Sequence, residues 1–141
     1  MLAGAHAYRA AMIRTASIRT PATPEDGLRV LVARFRGRGV PKTLCDVWMP
    51  NLGPSERLLR TFQHGRMSWT EFSRRYRTEM LQTGGADRGN VVIKNHGQKY
   101  TLRLIRRLAE QGNVTLLCHC AEDAEHCHRF LLRDLIQRET A

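Results

Sequence analysis

The stretch from Val114 to Ile136, VTLLCHCAEDAEHCHRFLLRDLI, constrains the fold more than any other part of the chain. It reads as a buried strand, a short acidic loop and a helix. It also carries three of the four cysteines (Cys118, Cys120, Cys127) and three of the six histidines (His119, His126, His128). Ligands of open α/β sheets bind beyond the carboxyl ends of the strands. Thiols and imidazoles gathered where a strand hands over to a helix are therefore candidates for chemistry.

The elements before that stretch alternate in the same way. Ile13–Arg19 is expected as a first short strand, followed by a Pro-rich turn over Pro21–Asp26. Leu28–Phe35 (LRVLVARF) is β-rich and expected as a central strand, with Thr43–Trp48 a shorter one. Ser55 is a helix N-cap, with Leu58, Leu59 and Phe62 on one face and Gly65 at the end. Ser68-Trp69-Thr70-Glu71 reads as a capping box. Trp69, Phe72, Tyr76 and Met80 follow at helical spacing, up to a stop at Gly84-Gly85. A short apolar segment, Val91–Ile93, lies in the next connection. A helix over residues 98–111 puts Leu102, Ile105 and Leu108 on one stripe, and the last helix runs from Ala124 to Arg138. The alternation predicts one compact α/β domain over 13–141: a three-layer, Rossmann-like, largely parallel sheet flanked by helices. Residues 1–12 precede the first acidic residue, Glu25, and read as a disordered tail or an early start codon.

Charge sets the expected partners. The net charge is +10 and the pI about 10.5, a field that attracts nucleic acid, nucleotides or other anions. Of the 23 basic residues only Lys42, Lys94 and Lys99 are lysine, a skew that Arg-rich codon usage also produces. No apolar run approaches the roughly 20 residues of a membrane helix, so no membrane partner is expected. Four cysteines in 141 residues do not make a disulfide scaffold, and a reduced, cytoplasmic protein is expected. Oligomeric state is not legible.

Several motifs resemble those of the YeaO-like branch of the domain-of-unknown-function family 488. Its front loop, typically VLVDRxWPRG, appears as Val30–Gly39, VLVARFRGRG; Arg34, Arg38 and Gly39 match, Ala33 replaces Asp, and Arg36-Gly37 replaces Trp-Pro. The W-x3-L-A-P-S pattern appears as Trp48-Met49-Pro50-Asn51-Leu52-Gly53-Pro54-Ser55. Leu58, Phe62, His64, Trp69, Phe72, Tyr76 and Glu79 match the segment that follows. The C-A-E and C-H-R of the wider family are Cys120-Ala121-Glu122 and Cys127-His128-Arg129, with Cys118, His119 and His126 as extras. The resemblance spans residues 13–138 and implies a compact three-layer α/β fold without assigning an activity.

The Cys/His cluster admits three chemistries and a plain core. In a strand Cys118 and Cys120 share a face and His119 points away. On a helix His126, Cys127 and His128 lie about 100° apart, so all three cannot meet one ion. Cys118, Cys120 and Cys127 with His126 or His128 form a feasible set for zinc or iron, although C-x-C is not the usual C-x2-C spacing. Alternatively Cys120 or Cys127 is a nucleophile, favoured by a helix dipole and by Arg129, with His128 as base or orienting group. A phosphatase loop is refused: Cys120 and Arg129 are spaced C-x8-R rather than C-x5-R, and the loop holds Glu122, Asp123 and Glu125. Cys120 and Cys127 could also form a reversible disulfide. Against these, free Cys is often simply core. Cys45 is expected as packing, and His64 as a helix-end partner or a ligand-binding residue.

The front loop supplies positive charge to the same sheet edge. Arg34, Arg36, Arg38 and Lys42 follow the expected central strand and would emerge beside the Cys120 loop. Arg forks suit phosphate or carboxylate. The favoured expectation is a cleft for an anionic, nucleotide-like ligand, with Arg34, Arg38, Glu122, Arg129 and His64 binding and Cys120, Cys127 and His128 reacting. The alternatives are a non-catalytic DNA- or RNA-binding protein, and a Cys/His metal protein.

Overall fold

The computed structural model describes residues 13–82 and 97–138. The expected tail at 1–12, the Gly84-Gly85 stop and the Val91–Ile93 segment lie outside the described residues, as does the Lys42 side chain.

The described strands are β1 (Ile13–Ser17), β2 (Leu28–Leu31), β3 (Val47–Trp48) and β4 (Val114–Cys118). They form one sheet in the order β1-β4-β2-β3, and every pairing is parallel. Four described helices flank it: α1 (Glu56–Gln63), α2 (Trp69–Leu81), α3 (Lys99–Gln111) and α4 (His128–Arg138). The expected α/β architecture with a parallel sheet is present. No described helix is long and apolar enough to cross a membrane.

β4 is buried at all five positions because β1 and β2 cover both of its edges. Register then sorts its side chains. Val114 and Leu116 join Ile13, Val30 and Val32 in the larger apolar cluster. All four described helices feed that cluster, through Leu58, Phe72, Tyr76, Met80, Leu102, Ile105, Ala109, Leu132 and Ile136. The smaller cluster, with Ala16, Leu31 and Leu117, is closed by loop residues Val40, Leu44 and Cys45 and by Phe130. Cys45 packs there as expected.

Local signals held at several helix starts. Ser55 Oγ accepts from the Leu58 N–H at 3.2 Å, and Ser68 Oγ from the Glu71 N–H at 3.1 Å. The capping box is only half made, since the Glu71 carboxylate binds Arg74 and Arg75 instead. Two expectations shift. Leu108 is 41% exposed and Ala109 takes the buried position of α3, one residue round the helix. The last helix begins at His128, so His126 and Cys127 lie in the loop before it and the helical spacing argument does not apply to them.

The middle motif is scaffold. The buried Tyr76 hydroxyl donates to the Leu52 carbonyl at 2.6 Å. Glu79 accepts from the Ser55 N–H at 2.8 Å and from its hydroxyl at 2.5 Å. Four motif residues thus lock the α1 entry onto α2. The effect is to fix Gly53-Pro54 beside Arg34, at the carboxyl edge of the sheet.

Candidate functional site

β4 delivers Cys118 to the carboxyl end of the sheet, and the chain turns through Cys120–Glu122 and returns at Cys127 into α4. Cys118 and Cys120 share a face as the strand period requires, their Sγ atoms 4.0 Å apart. Cys118 Sγ also lies 3.9 Å from His128 Nδ1. His128 Nε2 donates to the Val32 carbonyl at 2.8 Å. A carbonyl only accepts, so Nε2 holds the proton of the neutral ring and Nδ1 turns its lone pair to Cys118. Burial, with the charges of Arg129 and Arg34, keeps the ring neutral by pushing its pKa below the ordinary value.

Cys118, Cys127 and His128 are all buried, and their donor atoms lie within 4.8 Å of one another, close enough to hold a metal ion. Of the two histidines considered for such a set, His128 is the one that qualifies. His126 instead stacks on Trp69, ring centroids 4.7 Å apart.

Cys120 is the half-exposed member of the thiol cluster. The Cys118 thiol, then the Cys127 thiol, hydrogen-bond to its sulfur, and with the charge of Arg129 they pull its pKa far below the ordinary range. The same hydrogen bonds raise Cys118 and Cys127. The arrangement thus favours a thiolate at Cys120 over one at Cys118 or Cys127.

Arg129 explains why a charge is wanted. It is 1% exposed, and its Nη1 and Nη2 donate to the carbonyls of Cys120 (3.3 Å), Ala121 (3.0 Å) and Glu122 (3.3 Å). Nη1 also lies 3.7 Å from Cys127 Sγ, and Nε has no partner. Among the described residues no carboxylate forms an ion pair with it. The C-A-E and C-H-R motifs are thus one device: the second clamps the backbone of the first. Glu122 turns its carboxylate away, onto the Ser17 N–H (2.5 Å) and the Thr20 hydroxyl (2.8 Å), which ties the loop to β1.

A cavity of about 190 Å³ opens over Cys118, Cys120 and His128, walled by Arg34, Phe35, Pro54, Leu59, Gln63 and His119. The two loops expected at one edge do meet here. Their contributions differ from expectation. Arg34 lines the cavity, anchored by Nε to the Pro54 carbonyl at 2.8 Å and by Nη2 to the Gly53 carbonyl at 3.1 Å. Arg36 bonds the Val40 carbonyl, and Arg38 is exposed and is not among the residues that line this cavity. His64 caps the α1 end in solvent, and its neighbour Gln63 reaches the cavity. Sequence reasoning did not single out Phe35, Gln63 or the Val32 carbonyl. Exposure of an aromatic beside a loop is visible only in the fold, and a backbone carbonyl carries no sequence signal.

Residues 13–140 match the family model described as the active DUF488-N3 subclade. The chain belongs to the DUF488 family. The match covers nearly all of it and includes every residue of the cavity, and it is compatible with the YeaO-like branch that the motifs resemble. No curated protein and no solved structure matches it. A DUF488 fold thus places a thiol cluster, a buried guanidinium and a small cavity at one sheet edge.

Proposed function

We propose that this DUF488 protein holds a small anionic ligand in the cavity over Cys120 and that Cys120 reacts there as a thiolate. The observation that carries this reading is the buried, carboxylate-free Arg129 beside the thiol cluster. A buried cation without a counter-ion is costly, and one thiolate supplies the missing charge. Cys120 is the member with access to the cavity. Arg34 adds a second guanidinium without a carboxylate partner among the described residues, which suits a phosphate or carboxylate on the ligand. His128, tied to Val32, positions the cluster rather than shuttling protons. Glu122 and Arg129 shape the loop. The subclade's description as active agrees with a site of chemistry.

A specific observation favours a second occupant. The donors of Cys118, Cys127 and His128 suit a soft divalent ion, zinc or iron, and the His128–Val32 bond is the outer contact that metal-bound histidines usually make.

One experiment separates the two readings. Protein purified without oxygen is assayed for metal per chain and alkylated with iodoacetamide, with sites read by peptide mass spectrometry. The expected result is substoichiometric metal and fast labelling of Cys120 alone, lost in Cys120→Ser with little change in Tm. Near-stoichiometric zinc or iron with protected thiols would establish the metal centre instead. Thiols that react only on unfolding would overturn both.

A further inference from the structure

A second, larger cavity of about 460 Å³ lies across the same sheet edge, lined by Ser17, Arg19, Thr20, His119, Ala121 and Glu122. His119 lines both cavities, and the walls continue from Cys120 in one to Ala121 and Glu122 in the other. The two therefore adjoin at His119 along the sheet edge from β2, over β4, to β1. His119 is a fixed partition. Its Nε2 meets the Phe35 carbonyl at 3.0 Å, and Gly37 backs the ring so closely that a Cβ there would come within 2.9 Å of Cε1.

The cavities differ in chemistry. The smaller one is walled by Pro54, Leu59 and Phe35, and Phe35 is 49% exposed. A flat ring system would stack on it, as bases do on exposed aromatics. The larger one adds the polar side chains of Ser17, Thr20, Glu122 and Arg19 to its lining. Both hydrogen bonds to Glu122 end on Oε2, which leaves Oε1 as an acceptor for a hydroxyl. A phosphate against that carboxylate would be repelled; Arg19, exposed and in the same lining, is where an anion is welcome.

We propose that the paired cavities hold a nucleoside monophosphate, with the base against Phe35, a sugar hydroxyl on Glu122 Oε1 and the phosphate on Arg19. This rests on the reading of the smaller cavity as a ligand site, and it adds the ligand class and the residues that sort its three parts. The sugar would lie near His119, bringing the base–sugar junction close to Cys120.

The test uses the full chain, titrated by calorimetry with AMP, adenosine, ribose 5-phosphate and inorganic phosphate. AMP is expected to bind most tightly. Phe35→Ala should weaken AMP and adenosine by the same factor, about tenfold. Arg19→Ala should weaken AMP about tenfold and leave adenosine unchanged. Both side chains are exposed, so both variants should fold, which circular dichroism checks. The proposal is overturned if AMP and UMP bind no better than inorganic phosphate, or if the two variants do not split AMP from adenosine. Alkylation separates it from the reading it rests on. Saturating AMP should slow Cys120 labelling at least fivefold. Fast labelling that AMP leaves untouched overturns the paired site and spares the reactive thiolate. AMP binding to a chain whose Cys120 is inert keeps the paired site and removes the thiol chemistry.

Discussion

Two buried arginines sit at opposite ends of the sheet, and they are compensated in different ways. Arg29, 6% exposed at the amino end, pairs with the buried carboxylate of Asp26. Asp26 is also reached by Arg14 at 3.6 Å, and its backbone carbonyl accepts from the buried Thr115 hydroxyl at 2.7 Å. Arg14, Thr115 and Arg29 are register partners across β1, β4 and β2. Arg129, at the carboxyl end, has three carbonyls and a sulfur but no carboxylate among the described residues. The amino end is a closed ion network, whose partners satisfy each other and leave nothing for a ligand. The carboxyl end is left with a buried charge that no carboxylate among the described residues meets. The open end is the one that carries the cavity.

The largest expected effect is at the closed end. Asp26→Ala strands Arg29 inside the protein and should cost about 3 kcal/mol of folding stability, since breaking one side of a buried pair leaves an uncompensated charge. Adding Arg29→Met should return much of that loss. Chemical denaturation measures both. A loss below about 1 kcal/mol would mean that Arg29 reaches water and that the amino end is no more closed than a surface pair.

The next effect distinguishes the arginines by chemistry. Arg129→Met removes the charge that favours the thiolate, so iodoacetamide labelling of Cys120 should slow at least tenfold, which is about 1.4 kcal/mol. Arg29→Met should leave that rate unchanged. Equal rates in wild type and Arg129→Met would assign Arg129 to the loop backbone alone, as structural as Arg29.

How much of this was legible follows the same division. Repeating apolar spacing gave the strands and the long helices, because period and burial are written in the chain. Leu108 and Ala109 show the limit: a shift of one residue turns the buried stripe by about 100°. The acidic start of the last helix was misplaced because HCHR has helical neighbours on one side only, while Arg129 holds the preceding loop open by binding its carbonyls. Cys118, Cys120, Cys127 and His128 were legible as a group from composition. Their order was not. The exposed sulfur, the histidine tautomer and the partition at His119 depend on Val32 and Phe35 carbonyls, which any residue would offer. Arg38 and Arg34 look alike in RFRGRG, yet only Arg34 reaches the cavity, because the motif around Leu52 and Tyr76 brings the Gly53 and Pro54 carbonyls within its reach.

The smallest effect concerns Glu122, the carboxylate that could make the two ends alike. Its hydrogen bond from the Ser17 N–H, then that from Thr20, hold it below the usual carboxylate range, and Arg129 adds to this through its charge. A carboxyl depressed in the folded state stabilises above its unfolded value, near pH 4.3, and that contribution disappears as pH falls through the folded value. Glu122 is exposed, so solvent screening keeps the contribution under about 1 kcal/mol. Glu122→Gln should therefore lower stability slightly at pH 7, and the difference from wild type should shrink as pH falls below the unfolded value and through the lower folded one. If its charge served Arg129 as Asp26 serves Arg29, Glu122→Gln would cost several times more and would change the rate of Cys120 labelling. If stability falls only slightly and the rate does not move, the carboxylate is a tie to β1, and the charge that answers Arg129 sits on sulfur.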